Sequence, residues 1–223
     1  RGRTLRLLFD GNKEEFHNLL KKLGHTPLPD DVLRMRGLMP EDEFRYQTIY
    51  ARNEGAVVAP TAGFHFSREL LKRMEIKGID SAYVTLHSGL GNFRAIEVED
   101  LTKHKMDSEQ MEINDVNANI INTTKERGNK VCVVGTTTMK AVETSAITGN
   151  RVKVYSGWTN KFIFPHYDFA IANAMITNFH PPLSSMLMMT AAFGGYDLVM
   201  EAYKYAIEKE YKFLTYGDAM LII

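Results

Sequence analysis

The sequence predicts a mixed α/β (α+β) fold, and three observations carry that prediction. From residue 55 onward short apolar strand patterns alternate with amphipathic helix patterns, which is the signature of sheet-and-helix layers rather than of a bundle or a sandwich. The 223 residues are 44% hydrophobic and 24% charged, enough apolar material to bury a core and too much for a disordered tail. No internal repeat or low-complexity tract interrupts the pattern.

The elements follow in order. Residues 3–9 alternate well enough for a strand. Residues 12–23 place Phe16, Leu19, Leu20 and Leu23 at helical spacing, and Gly24 stands where a C-terminal cap would. Pro27 and Pro29 make 25–30 an extended linker. A second helix is expected over 41–52, with acids in its first turn. Beyond it the pattern predicts strands at 56–58, 82–87, 93–98, 130–134, 162–164 and 174–177. Helices are predicted at 67–77, 115–127, 137–147, 184–193 and 196–209, several of them ending beside a glycine.

Composition excludes several classes. No apolar run reaches the roughly 18 residues of a membrane-spanning helix, and no signal-peptide apolar region follows the basic start Arg1-Gly2-Arg3. One cysteine, Cys132, rules out an internal disulfide, a cysteine-held iron–sulfur cluster or a CxxC zinc site, and its apolar strand predicts a buried core position. No HExxH spacing is present, so no metal is expected. A reducing cytoplasm is the natural setting. The formal net charge is zero, which argues against an RNA footprint spread over the whole surface and leaves room for a local basic patch.

Three segments could carry chemistry. In GAVVAPTAGFHF at 55–66, Thr61, Ala62 and Gly63 lie at a turn ahead of a helix, where small residues let backbone approach a ligand. His65 beside them is an acid, base or donor, or simply a packed histidine in a tight turn. In VCVVGTTTMK at 131–140, Gly135 ends a strand and Thr136, Thr137 and Thr138 open a helix. Their amides and hydroxyls suit a carboxylate, a ribose or a phosphate, or else ordinary capping. The segment is no P-loop, for the second glycine of GxxxxGK is absent. Glu143, two turns on, would face the same cleft or solvent. In TNFHPPLSS at 177–185, Asn178 and His180 sit on a proline-stiffened loop, and the Met-rich helix behind it reads as core rather than as a sulfonium-binding surface. A fourth histidine position, His87, ends a strand before a glycine-rich loop, where a plain hairpin is the simpler reading. His104 and His166 read as exposed.

No one segment names a function, but their order does. GHTPLP at 24–29, RYQTIYA at 45–51, APTAGFHF at 59–66, TLH at 85–87, HKMDSE at 104–109, VGTTT at 134–138, TNFH at 177–180 and YGDAM at 216–220 resemble successive blocks of the S-adenosylmethionine:tRNA ribosyltransferase-isomerase family of queuosine biosynthesis. The resemblance runs over almost the whole chain. It implies a large α/β domain with a small inserted β-barrel, of which residues 1–10 would be the end and 11–223 the α/β domain. The family's N-terminal portion is expected to precede Arg1. The resemblance further implies S-adenosylmethionine as ribosyl donor and a tRNA bearing 7-aminomethyl-7-deazaguanine at the wobble position as acceptor. The product is epoxyqueuosine, with adenine and methionine released. A sulfonium acidifies the adjacent C5′ hydrogens, so a base of near-neutral pKa suits the task, and His65, His87 and His180 are the expected acid/base and orienting groups. Asp218 would pair with the aminomethyl ammonium. Three positions depart from the family pattern: Ser88 stands where a valine is expected, Asn92 a threonine and Leu183 a basic residue. The rival readings are an RNA- or nucleotide-binding module without chemistry, and a methyltransferase-like enzyme using the same donor.

Overall fold

A computed structural model describes residues 8–223. The strand expected at 3–9 lies almost entirely in residues 1–7, outside the described residues. The chain opens with α1 (Lys13–Leu23), held at its start by a reciprocal capping box between Asn12 and Glu15. The expected linker is extended, but it runs directly into α2 (Asp30–Arg36), which the proline-rich reading did not anticipate. The helix expected at 41–52 shrinks to α3 (Asp42–Arg45), because Tyr46 turns out of the helix to pack with Leu28, Val32 and Ala59. Asp42 is fully buried and is gripped by both Arg36 Nη1 and Nη2 (2.8 and 2.6 Å) and by the Met39 amide. The Arg36 fork holds the Asp42 carboxyl down at about 2.

Next come α4 (Arg68–Ile76), capped by Ser67, then β1 (Thr85–Leu86) and β2 (Glu109–Ile113). After α5 (Asp115–Glu126) the chain forms β3 (Cys132–Val134), α6 (Thr136–Thr144), β4 (Ala146–Ile147), β5 (Arg151–Val152) and β6 (Tyr155–Thr159). It closes with β7 (Ala174–Asn178), α7 (Ser185–Gly194), α8 (Tyr196–Glu208) and β8 (Ala219–Ile222). One sheet is antiparallel in the order β1-β2-β6. A second, β3-β7-β8, pairs β3 with β7 in parallel and β7 with β8 antiparallel, and β4-β5 is a hairpin. The expected mixed α/β class is therefore what the chain adopts.

The core lies where α5, α6 and α7 meet the strands, with Ile113, Met139, Ile171 and Met175 inaccessible to solvent. A second apolar cluster joins Phe179 to Val199 and Tyr203 of α8.

Several elements differ from the sequence expectation for identifiable reasons. β2 was missed because its inward-facing residues are Glu109, Met111 and Ile113, so the alternation begins on a charge. Residues 93–98 form no strand; residues 90–93 make a 3-10 turn and Ile96 bonds instead to the Leu183 carbonyl. Residues 56–58 and 162–164 are likewise outside any ladder, although Val57 and Val58 both donate to the Ser88 carbonyl and Ile163 is buried. The helix expected to 147 ends at Thr144, since 146–147 are taken by the hairpin with β5, whose turn uses positive φ at Gly149 and Asn150. Cys132 is exposed on β3 rather than buried, the inward residue being Val133.

Candidate active site

The parallel strands β3 and β7 pair Val134 with Ile176, β7 running on to Asn178, and ligands in such sheets bind beyond the carboxyl ends of the strands. A cavity of about 590 Å³ opens there. Its floor is Gly135, Thr136 and Thr137 on one side and Thr177–His180 on the other. Thr61 and Ala62 close a third side, and the 88–94 loop and the extended segment 27–31 complete the wall.

Gly135 heads α6 with φ +88°, a conformation a side chain resists, and its amide donates to the Ile176 carbonyl at 2.8 Å. A Cβ there would meet nothing closer than 3.8 Å, so conformation and not space demands glycine. No side chain caps α6, which leaves first-turn amides and the Thr136 and Thr137 hydroxyls at the cavity. Gly135→Ala is expected to lower stability by about 1–3 kcal/mol, read as a lower urea midpoint; an unchanged midpoint would mean that the turn relaxes freely.

Thr61 Oγ1 donates to Asn178 Oδ1 at 3.2 Å, while Asn178 Nδ2 donates to the Gly217 carbonyl at 3.1 Å. This ties the 61–65 turn, β7 and the C-terminal tail into one rigid rim. His180 is 9% exposed; its Nε2 lies 2.7 Å from Thr177 Oγ1, and its amide donates to the Tyr203 hydroxyl. Burial pushes the imidazole down to about 4, so His180 is neutral near pH 7. Tyr46, also in the wall, stays protonated because burial pushes its hydroxyl up to about 12.

The cavity thus brings together Thr61, Ala62, Gly135, Thr136, Thr137, Asn178 and His180. Five other expected site residues stand off its wall. Gly63 is buried against Tyr50 and Thr48, so its missing side chain serves packing. Thr138 is half-buried on α6. His65 is exposed at the end of a 3-10 turn, neither packed nor facing the cavity. His87 is half-buried with its ring against Gly55, where a Cβ would come within 2.8 Å of Nδ1. The Asp218 carboxylate accepts from the Lys212 amide at 2.7 Å and shapes the tail loop. Glu143 faces neither cleft nor solvent; it is buried beneath the 170–172 backbone.

Asp31, Asn92 and Arg94 line the cavity without having been singled out for it. Asp31 follows two prolines and carries no local motif, and Arg94 lies in the segment 93–98 that reads as a strand. Two of the departures from the family pattern are bonded to each other, Asn92 Nδ2 donating to Ser88 Oγ at 2.6 Å. Leu183 is exposed at positive φ, with its carbonyl holding Ile96. On α7, Met189 is core as expected, but Met186 reaches the cavity wall. His104 is half-buried against the Phe162 ring, 4.8 Å between centroids, and His166 is exposed. Among the described residues no three His, Cys, Asp or Glu side chains converge as a metal-ligand group, and no helix is long and apolar enough to cross a membrane.

Fold and cavity together define a mixed α/β domain with a cavity at the ends of parallel strands. A family model described as queuosine biosynthesis protein matches residues 1–222, and the chain belongs to that family. Proteins named S-adenosylmethionine:tRNA ribosyltransferase-isomerase are 61% identical over 223 residues in Phocaeicola vulgatus and 62% in Bacteroides fragilis. In both, the match takes in 100% of this chain and 63% of the relative. The chain therefore spans less than two thirds of the curated relatives it matches. The crystal structure of S-adenosylmethionine tRNA ribosyltransferase from Thermotoga maritima superposes with a TM-score of 0.61 at 38% identity, over 73% of this chain and 51% of that one.

Proposed function

We propose that this chain forms most of the catalytic α/β portion of a cytoplasmic S-adenosylmethionine:tRNA ribosyltransferase-isomerase, with residues 1–10 ending an inserted barrel and 11–223 forming the main domain. The ribosyl group of S-adenosylmethionine moves to the aminomethyl nitrogen of 7-aminomethyl-7-deazaguanine at the wobble position of a tRNA. Adenine and methionine leave, and the sugar rearranges to the epoxycyclopentane of epoxyqueuosine. The observation that carries this reading is the 590 Å³ cavity, whose walls include residues of the segments 59–66, 134–138 and 177–180 through which the sequence resembles the family.

Each end of the cavity suits a different part of the substrates. The α6 amides and the Thr136 and Thr137 hydroxyls accept an anionic or hydroxyl-rich group, the methionine carboxylate or the ribose. Thr61, Ala62 and Asn178 approach the sugar or the deazaguanine. Neutral His180, already bonded to Thr177, orients a ligand by hydrogen bonding rather than by supplying charge. Proton transfer at C5′ then falls to His87 or His65 brought to the cavity with substrate bound. With the Asp218 carboxylate engaged by the Lys212 amide at 2.7 Å, Asp30 and Asp31 are the carboxylates on the wall that suit the aminomethyl ammonium, Asp31 accepting only long bonds from Thr215 at 3.3 and 3.4 Å.

The test is product analysis on the protein, and on a chimaera in which it replaces the matching part of the Bacteroides fragilis relative. Incubation with S-adenosylmethionine and the deazaguanine tRNA is expected to release adenine and methionine in equal amounts. S-adenosylhomocysteine instead would mark methyl transfer, and binding with no product from either polypeptide would mark a binding module; both outcomes overturn the proposal.

A further inference from the structure

Beside the cavity floor lies a buried ion pair that the reaction scheme does not use. Lys140 Nζ sits 2.6 Å from Glu109 Oε2, and both side chains are 4% exposed. The other carboxylate oxygen, Oε1, accepts from the Gly89 amide at 3.0 Å and from Asn92 Nδ2 at 2.6 Å. One carboxylate therefore joins three segments. Glu109 opens β2, Gly89 and Asn92 belong to the loop that walls the cavity, and Lys140 lies one turn beyond Thr136 and Thr137 on α6.

A buried pair of this kind is a poor way to gain stability, because desolvating both charges offsets their attraction, and well-packed apolar residues often serve as well. What the pair supplies that apolar packing does not is direction: an ion pair and two charge-assisted bonds hold at one separation and one angle. The two walls it links come from distant parts of the chain. The loop at 88–94 has no ladder of its own, and the α6 N-terminus is uncapped.

We infer that Glu109 and Lys140 are positioning residues that set the separation between the 88–94 loop and the N-terminus of α6, and so the shape of the substrate cavity. The inference rests on the proposed S-adenosylmethionine reading for its ligand, but the tether itself is measurable without one. Near-attack geometry tolerates little error, about a hundredfold in rate for a misplacement of about 1 Å, so a wall tether far from the chemistry matters.

The test uses Lys140→Met, Lys140→Arg and the double variant Glu109→Gln/Lys140→Met in the full chain, with two readouts. Native-state hydrogen exchange is followed at amides 89–94 and 139–142, and S-adenosylmethionine binding is measured by calorimetry. Lys140→Met is expected to speed exchange about tenfold or more in both segments together, and to weaken binding about tenfold or more. Lys140→Arg, which keeps the cation, restores both. The double variant removes the stranded charge and regains the parent unfolding midpoint, yet keeps fast exchange and weak binding. A double variant that regains binding along with stability would make the pair merely structural. Unchanged exchange in the two segments would overturn the tether, and the double variant decides the matter even if Lys140→Met alone fails to fold. A parent protein that does not bind S-adenosylmethionine would sink the functional reading instead, leaving the exchange result to decide the tether.

Discussion

Glu143→Ala is expected to lower the unfolding free energy by about 3–5 kcal/mol. Glu143 is 2% exposed and projects from α6 under the backbone of the following segment. Its Oε1 accepts from the Ile171 amide at 2.9 Å and the Ala172 amide at 3.4 Å. Its Oε2 accepts from the Ala170 amide at 3.0 Å and the Tyr167 hydroxyl at 3.3 Å. That segment leads into β7, so the carboxylate fixes the strand on which Asn178 and His180 stand. Removing it strands three backbone donors, two of them on the buried residues Ile171 and Ala172, and an unpaired buried donor costs about 1–3 kcal/mol. Glu143→Gln keeps one acceptor but turns an NH₂ group toward amides, so it is expected to lose roughly half as much. Urea unfolding of the three proteins measures the series. A Glu143→Ala midpoint equal to that of the parent would show that water replaces the carboxylate and that the segment needs no such anchor.

His180→Gln is expected to remove a pH dependence of stability between about pH 6.5 and 4. The free imidazole titrates near 6.5, whereas in the folded protein burial holds it at about 4. Between those values the unfolded chain binds a proton that the folded chain refuses. Protons therefore favour unfolding, and stability falls as pH falls through this window. Above 6.5 both states are neutral and His180 contributes no slope; below 4 both are protonated and the loss is complete, at about 3 kcal/mol. Glutamine has no proton to gain and retains polar atoms to meet Thr177 Oγ1, so the variant lacks this component while the other titrating groups act equally in both proteins. The difference in unfolding free energy between parent and variant, measured at pH 7 and pH 4.5, isolates it. A constant difference across that range would mean that the ring is solvated and titrates normally, and His180 would then be available as an acid near neutral pH.

The sequence by itself determined the class of fold and the long regular helices, because these rest on local information. The apolar spacing of Phe16, Leu19, Leu20 and Leu23 and the caps at Ser67 and Ser184 are readable one turn at a time. It also supplied the candidate motifs, through their order along a known family pattern. Gly135–Thr137 and Asn178–His180 line one cavity at the ends of the parallel strands β3 and β7, and Thr61–Ala62 join them from a 3-10 turn. The tertiary structure alone decided which side chains within those motifs face a ligand. Gly63 packs on Tyr50, the Asp218 carboxylate is taken by a backbone amide, and Glu143 caps a chain segment 27 residues away. The partners of Gly63 and Glu143 are remote in sequence, and that of Asp218, six residues back, is reached only because the tail loop closes on itself. The same reason hid β2. An inward Glu109 breaks the alternating apolar pattern of a strand, and partners far along the chain, Gly89, Asn92 and Lys140, make that burial possible.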